Sequence, residues 1–129
     1  MTNKAVITWK DKDVHLDGRQ LISMPDNVVK ALAIDDKIVI LTIQGYETHG
    51  SMTVIRGPQS HDIVRHHNIV AVDHQGQFVW RVQIPDAPVS SYYTNIWLHD
   101  GQLHGYHYSG WDITLDHKSG EILQKVPMK

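Results

Sequence analysis

Apolar and polar residues alternate along most of the chain in short runs, which is the pattern of β-strands with one buried face. Trp111, Ile113 and Leu115 share one side of a run whose other side is polar. Residues 37–43 differ, because apolar side chains fill both sides of that run. A strand that is covered on both faces accounts for such a composition. The pattern therefore predicts an all-β chain that contains a central, doubly covered strand.

Turn-forming residues separate these runs and predict antiparallel hairpins. The Asp-Gly pair at residues 100–101 suits a two-residue hairpin turn, because glycine adopts positive φ and Asp bonds to the turn backbone. The Asp-Asp pair at 35–36 divides residues 28–34 from 37–44 in the same way. A helix over residues 24–32 is the competing interpretation, since a capping Asp precedes good helix formers there. We favour the strand because that stretch is rich in β-branched residues.

Two parts of the chain resemble each other, which indicates an internal duplication. Residues 68–80 and 111–123 each contain a strand, an Asp-His pair, a turn with glycine and a second strand. Upstream of these, residues 45–50 and 105–110 share a Gly-Tyr pair and a second glycine at the same spacing. Each copy is expected to contribute four short strands.

The spacing between the two matches differs, and this difference indicates an insertion. In the second copy the two matched segments are continuous, whereas residues 51–67 separate them in the first copy. We therefore predict one all-β domain over residues 1–129. Its parts are N-terminal strands within 4–24, repeat one over 28–83 with the insertion at 51–67, and repeat two over 92–126.

The strand before each Asp turn and the strand after its glycine carry a recognisable pattern. Residues 69–80 read Ile-Val-Ala-Val-Asp, a turn with Gly76, and then Trp80, while residues 113–123 read Ile-Thr-Leu-Asp, a turn with Gly120, and Glu-Ile-Leu. This pattern resembles the outer hairpin of quinoprotein-type β-propeller blades. The resemblance implies two blade-like four-stranded repeats. It implies no cofactor, because two blades cannot close a propeller, which needs at least about four.

The number of predicted strands leaves the architecture open. About ten antiparallel strands can form a small barrel or a two-sheet sandwich, because either arrangement protects strand edges. Pairing of the blade-like sheets with another subunit, as in a homodimer, protects them equally well.

Composition excludes several classes of function. The 129 residues include no cysteine, which excludes disulfides, thiolate catalysis and cysteine-ligated metals. A formal net charge of -2 gives no basic excess for nucleic acid. No apolar run approaches the ~20 residues of a membrane helix, and no signal peptide is evident at the N-terminus. We expect a cytoplasmic protein without nucleic-acid or membrane partners.

Ten histidines are the main candidates for chemistry. None of their spacings matches a metal motif such as His-Glu-x-x-His, and no nucleophile motif is present, so we predict neither catalytic nor metal-ligating residues. His99 and His104 flank the turn at residues 100–101 and can approach each other across that hairpin. The predicted insertion carries further histidines, and insertions of this length are often functional.

Six residues are predicted to bind a partner, and they come from two places. The insertion supplies Arg56, His66 and His67, while repeat two supplies His104, Tyr106 and Tyr108. The three from repeat two share one strand face, which forms either part of the core or an open amphipathic surface.

These observations favour a non-enzymatic binding or protein-interaction module that uses no cofactor. Its expected partner is another protein or a second copy of the chain. The alternative is a small histidine-rich metal-binding protein or hydrolase that uses His99, His104 and the histidines of the insertion.

Overall fold

A computed structural model describes residues 5–57, 66–85 and 92–128, and strands are the dominant element in them. The strands are β1 (Ile7–Lys10), β2 (Asp13–Leu16), β3 (Arg19–Ser23), β4 (Asn27–Ile34), β5 (Lys37–Ile43), β6 (Glu47–His49), β7 (Met52–Val54), β8 (Ile69–Asp73), β9 (Phe78–Arg81), β10 (Tyr93–His99), β11 (Gln102–His107), β12 (Trp111–Leu115) and β13 (Ile122–Pro127).

The strands form three consecutive antiparallel meanders. Sheet one has the order β1-β2-β3, sheet two β4-β5-β8-β9 and sheet three β10-β11-β12-β13. The small hairpin β6–β7 leaves sheet two between β5 and β8. The prediction of an all-β chain with antiparallel hairpins is therefore confirmed. The barrel alternative is not confirmed, because the described residues form separate open sheets and no closed barrel.

Sheet two is the middle layer, and both of its faces are buried. Ile38 and Ile40 pack with Val14 of sheet one, whereas Val39 and Leu41 pack in a second cluster with sheet three. All four of these β5 residues have 0% exposed surface. Burial of both faces explains the continuous apolar run and confirms the prediction of a doubly covered strand.

The first half of sheet two settles the choice between helix and strand. The stretch that also resembled a helix forms β4, which pairs with β5 from Asn27 opposite Ile43 to Ile34 opposite Lys37. Alternate residues of β4 reach the two buried faces, so tertiary packing outweighs the capping signal at its start.

The segment between β5 and β8 departs from its predicted boundaries. Gly45 has a φ of 74° and follows the end of β5, whereas Gly105 lies within β11 opposite Ile113. The Gly-Tyr match in the sequence therefore does not mark equivalent positions. The chain already leaves sheet two after Ile43, and residues 58–65 of the predicted insertion lie outside the described residues.

Buried hydrogen bonds fix sheet three against sheet two. The Asn68 amide donates to the carbonyl oxygens of Thr42 and Tyr93, at 2.7 Å each, and its Oδ1 accepts the Tyr93 N–H at 2.9 Å. Lys30 Nζ donates to the Ile96 carbonyl at 2.6 Å. These contacts hold the outer face of sheet three in a defined place, turned away from sheet two.

Candidate functional site

The outer face of sheet three is a polar and aromatic surface. Strand alternation places Ile96, Leu103 and Ile113 on the inner face, where they are completely buried. The strand register then sets two rows across the outer face, one of Trp97, His104, Thr114 and Gln124 and one of Asn95, Tyr106, Asp112 and Val126. We call these eight residues the outer-face set.

A ring stack supported by a carboxylate lies at the centre of the outer-face set. The rings of Trp97 and His104 are 5.4 Å apart at the centroids and 11° from parallel. His104 Nδ1 lies 2.9 Å from Asp112 Oδ1, with 13% and 24% of the respective side chains exposed. The carboxylate fixes the imidazole orientation. His104 Nε2 has no hydrogen-bond partner among the described residues.

The predicted approach of two histidines across the β10–β11 turn is confirmed. His99 and His104 meet edge to face with ring centroids 6.1 Å apart. The turn between them has φ of 51° at Asp100 and 76° at Gly101, as a tight two-residue hairpin requires. His99 therefore borders the ring stack from the side of the turn.

Tyr106 is the second predicted binding residue on this surface. It lies opposite Asp112 in the register and is half-buried. Of the six predicted residues, the structure therefore places His104 and Tyr106 together on the outer face. The strand face is therefore partly buried, because its rings cover one another while Trp97 and Tyr106 remain partly exposed.

The predicted residue His66 lies in the core rather than on a surface. It is 1% exposed, and His107 on the inner face of sheet three is 0% exposed. Burial, together with the neighbouring His66, lowers the pKa of His107 to about 4. The ring of His107 meets Tyr93 edge to face at 5.0 Å, and its Nδ1 lies 2.6 Å from Ser109 Oγ. This histidine pair belongs to the packing of sheet three on sheet two.

The other predicted residues occupy separate positions. His67 Nδ1 lies 2.9 Å from the Val82 carbonyl oxygen, which ties this side chain to the end of sheet two. Arg56 is exposed, and its stem packs over Gly45. Tyr108 is 64% exposed and stacks on Tyr92 with centroids 5.5 Å apart. The structure therefore does not combine the six residues into one site.

The match to a protein family spans all three sheets. Residues 5–126 match the domain of unknown function DUF7957. The chain belongs to this family. No curated protein matches the chain. Because the matched range contains the whole outer-face set, the candidate surface is part of the family domain and not an addition to it.

Two further results bear on the class of site in this DUF7957 domain. Within the three described ranges, no three His, Cys, Asp or Glu side chains converge as metal ligands would. The same ranges contain no helix that is long and apolar enough to cross a membrane.

Sequence reasoning did not select Trp97 and Asp112, which complete the centre of the surface. A signal for both was present in the strand register. Once the turn at residues 100–101 is accepted, counting outward pairs Trp97 with His104, and the next hairpin brings Asp112 to Tyr106.

Proposed function

We propose that this chain is a non-enzymatic binding module that recognises a protein partner through the outer face of sheet three. The carrying observation is a change of chemistry at matched positions. The two sheets can be aligned by counting from the two-residue turns that join β4 to β5 and β10 to β11. In this alignment Val39, Leu41 and Ile69 of sheet two are buried and apolar. The corresponding residues of sheet three are His104, Tyr106 and Asp112. In sheet two these apolar side chains pack against another sheet. At the matching positions of sheet three, the side chains carry groups that can form hydrogen bonds.

The geometry of the rings supports a protein partner. Because Trp97 and His104 stack on each other, each ring covers one face of the other, and both side chains remain partly exposed. Tyr106, Asn95 and Gln124 add further donors and acceptors along the same two rows. Protein interfaces are enriched in Trp and Tyr and combine aromatic anchors with polar groups.

The module is further proposed to consist of blade-like repeats, with sheets two and three as the two four-stranded copies. Their strand orders support this, since both are simple meanders. The turn glycines give a second argument. A Cβ at Gly76 would meet the Leu21 carbonyl of sheet one, and a Cβ at Gly120 would meet the Trp80 ring of sheet two. In each four-stranded sheet, the turn between the third and fourth strands therefore packs against the last strand of the preceding sheet.

A comparative capture experiment tests the proposed function. Wild-type protein and the double variant Trp97→Ala/Tyr106→Ala are immobilised and exposed to soluble extract from the native host, and bound proteins are quantified by mass spectrometry. The matched control is Thr8→Ala/Gln20→Ala, which changes exposed residues on the outer face of sheet one.

We expect at least one protein to be retained by wild type and by the control but lost from the double variant. Binding of that protein is then measured with purified components by calorimetry. If it is the chain itself, sedimentation velocity will show a concentration-dependent homodimer. Identical capture profiles for all three proteins would contradict the proposal.

The alternative is a small histidine-rich metal-binding protein or hydrolase, and the described residues hold no cluster of three His, Cys, Asp or Glu side chains. Elemental analysis of dialysed protein distinguishes it from the binding module. Stoichiometric zinc, nickel or iron that survives dialysis would favour this alternative.

A further inference from the structure

A cleft of about 480 Å³ lies beside the β6–β7 hairpin. Its walls come from the end of β1 with the following turn, from the start of β4 and from β6. Pockets for small organic ligands span roughly 300–1,000 Å³, so this cleft has a suitable size. None of the outer-face set borders it, and a ligand here is independent of the function proposed above.

Hydrogen bonds between separate segments hold the walls in place. The Val28 N–H donates to the Asp11 carbonyl at 2.7 Å, which joins the turn after β1 to β4. The Asn27 amide donates to the Tyr46 carbonyl at 2.6 Å, which joins β4 to the base of the hairpin. The cleft is therefore formed in advance of any ligand, and binding requires little ordering.

Trp9 supplies an aromatic wall. It lies opposite Val14 in the register and therefore shares the core-facing side of sheet one, yet it is 39% exposed. Val28 also lines the cleft and is almost completely buried. The apolar layer between sheets one and two thus continues into the cleft and ends at an accessible indole.

The charges around this wall are mainly negative. Asp11 and Glu47 line the cleft, and both are exposed. Lys10 also borders it, but strand alternation directs its side chain to the opposite face, where Asp13 is its cross-strand partner. His49 Nε2 lies 3.1 Å from Glu47 Oε2, with 64% and 48% of the side chains exposed.

We propose that this cleft binds an organic cation, namely an ammonium or guanidinium group on a short apolar stem. The indole of Trp9 attracts the cation through its negative ring face, and the carboxylates of Asp11 and Glu47 balance the charge. A free amine and a lysine or arginine side chain of a peptide share this chemistry.

Titration with a matched pair of probes tests the proposal. The full chain is labelled with ¹⁵N, and the indole N–H signal of Trp9 is assigned by its loss in Trp9→Phe. Choline is compared with 3,3-dimethylbutan-1-ol, which has the same shape without the charge. We expect choline to shift the Trp9 signal at millimolar concentration and the alcohol to bind about tenfold more weakly or worse.

A second pair of probes separates the two sources of the cation. Nα-acetyl-lysine N-methylamide represents a peptide side chain, and n-butylammonium represents a free amine. Tighter binding of the capped lysine assigns the cleft to peptides, whereas tighter binding of butylammonium assigns it to free amines.

Variants identify the groups responsible. We expect Asp11→Asn/Glu47→Gln to weaken choline binding by roughly two- to twentyfold, because the two exposed carboxylates attract the cation. The matched control Lys10→Gln should leave binding unchanged or slightly tighter, and the dispersion of each spectrum verifies folding. An unmoved Trp9 signal, equal binding of the alcohol, or loss of binding in Lys10→Gln would overturn the proposal.

Discussion

Sheets two and three share a strand order but differ in how their second face is used. In both sheets a two-residue turn joins the first strands, so Ile38 of β5 occupies the position of Leu103 in β11. Both residues are completely buried, and each faces the preceding sheet. On the opposite side, buried Leu41 corresponds to half-buried Tyr106, and buried Trp80 corresponds to exposed Gln124.

This difference shows which face of a sheet joins it to the stack and which face decides whether the stack continues. The shared apolar face stacks each sheet on the one before it. The second face continues the stack when it is apolar and ends it when it is polar, as in the terminal repeats of solenoid proteins. Among the described residues this polar face ends the stack, and it is the face that we propose for recognition.

The largest expected effect is at the matched pair Trp80 and Gln124. Trp80 is 5% exposed and donates its indole N–H to the His117 carbonyl at 2.8 Å. Trp80→Ala should lower the free energy of unfolding by about 3–5 kcal/mol, because it leaves a cavity between the sheets. Gln124→Ala should change it by less than about 0.5 kcal/mol. Urea denaturation measures both, and equal losses would contradict the proposed difference between the faces.

The next effect is a pH dependence at a position that is titratable in sheet three and not titratable in sheet two. Thr42 occupies the position of His107 and carries no titratable group. The pKa of His107 is lowered to about 4 by burial and by His66, against about 6.5 in an unfolded chain. The unfolded state therefore binds more protons between these values, and stability falls as pH decreases from about 6.5 to 4.

This window corresponds to a loss of about 3 kcal/mol at most. Urea denaturation at several pH values should show it in wild type and show a shallower slope in His107→Gln. The control His49→Gln, at a largely exposed histidine, should keep the wild-type slope. A wild-type slope in His107→Gln would assign the acid sensitivity to other groups.

A smaller effect is expected at the β12–β13 turn of sheet three, which packs against Trp80 of sheet two. An added Cβ at Gly120 would lie 2.5 Å from Trp80 Cε3, whereas one at Gly101 would have no neighbour within 4 Å. Both glycines have positive φ, 77° and 76°, so both alanine variants carry similar backbone strain. Gly120→Ala should lose about 1–3 kcal/mol more than Gly101→Ala, because it also displaces the indole. Equal thermal stabilities would mean that this contact is loose.

The smallest effect is expected where the outer face is made to resemble sheet two. His104→Val introduces the residue found at the matching position, Val39. It removes the contact with Asp112, which is partly exposed and contributes about 1 kcal/mol or less. The free energy of unfolding should change by less than about 1 kcal/mol, while partner binding through this face should weaken. A loss above about 2 kcal/mol would instead indicate a structural role for the ring stack.

Local patterns predicted much of the fold because they depend on near neighbours. Alternation and turn residues identified the hairpins, and the apolar run of β5 indicated a doubly covered strand. The candidate site was predicted less completely, since His104 and Tyr106 belong to the surface but His66 is buried. Whether a histidine is buried depends on which sheet covers it, and residue spacing contains no information about that contact.

The sequence by itself determined that the chain is β-structured, where its hairpins turn and which strand is covered twice, because period-two alternation and turn chemistry act over a few residues. Only the tertiary structure decided that three sheets stack, that His66 and His107 meet in the core, and that Trp97, His104 and Asp112 form one surface. Those outcomes depend on contacts between residues far apart in the chain, whose geometry is set when the apolar faces exclude water together.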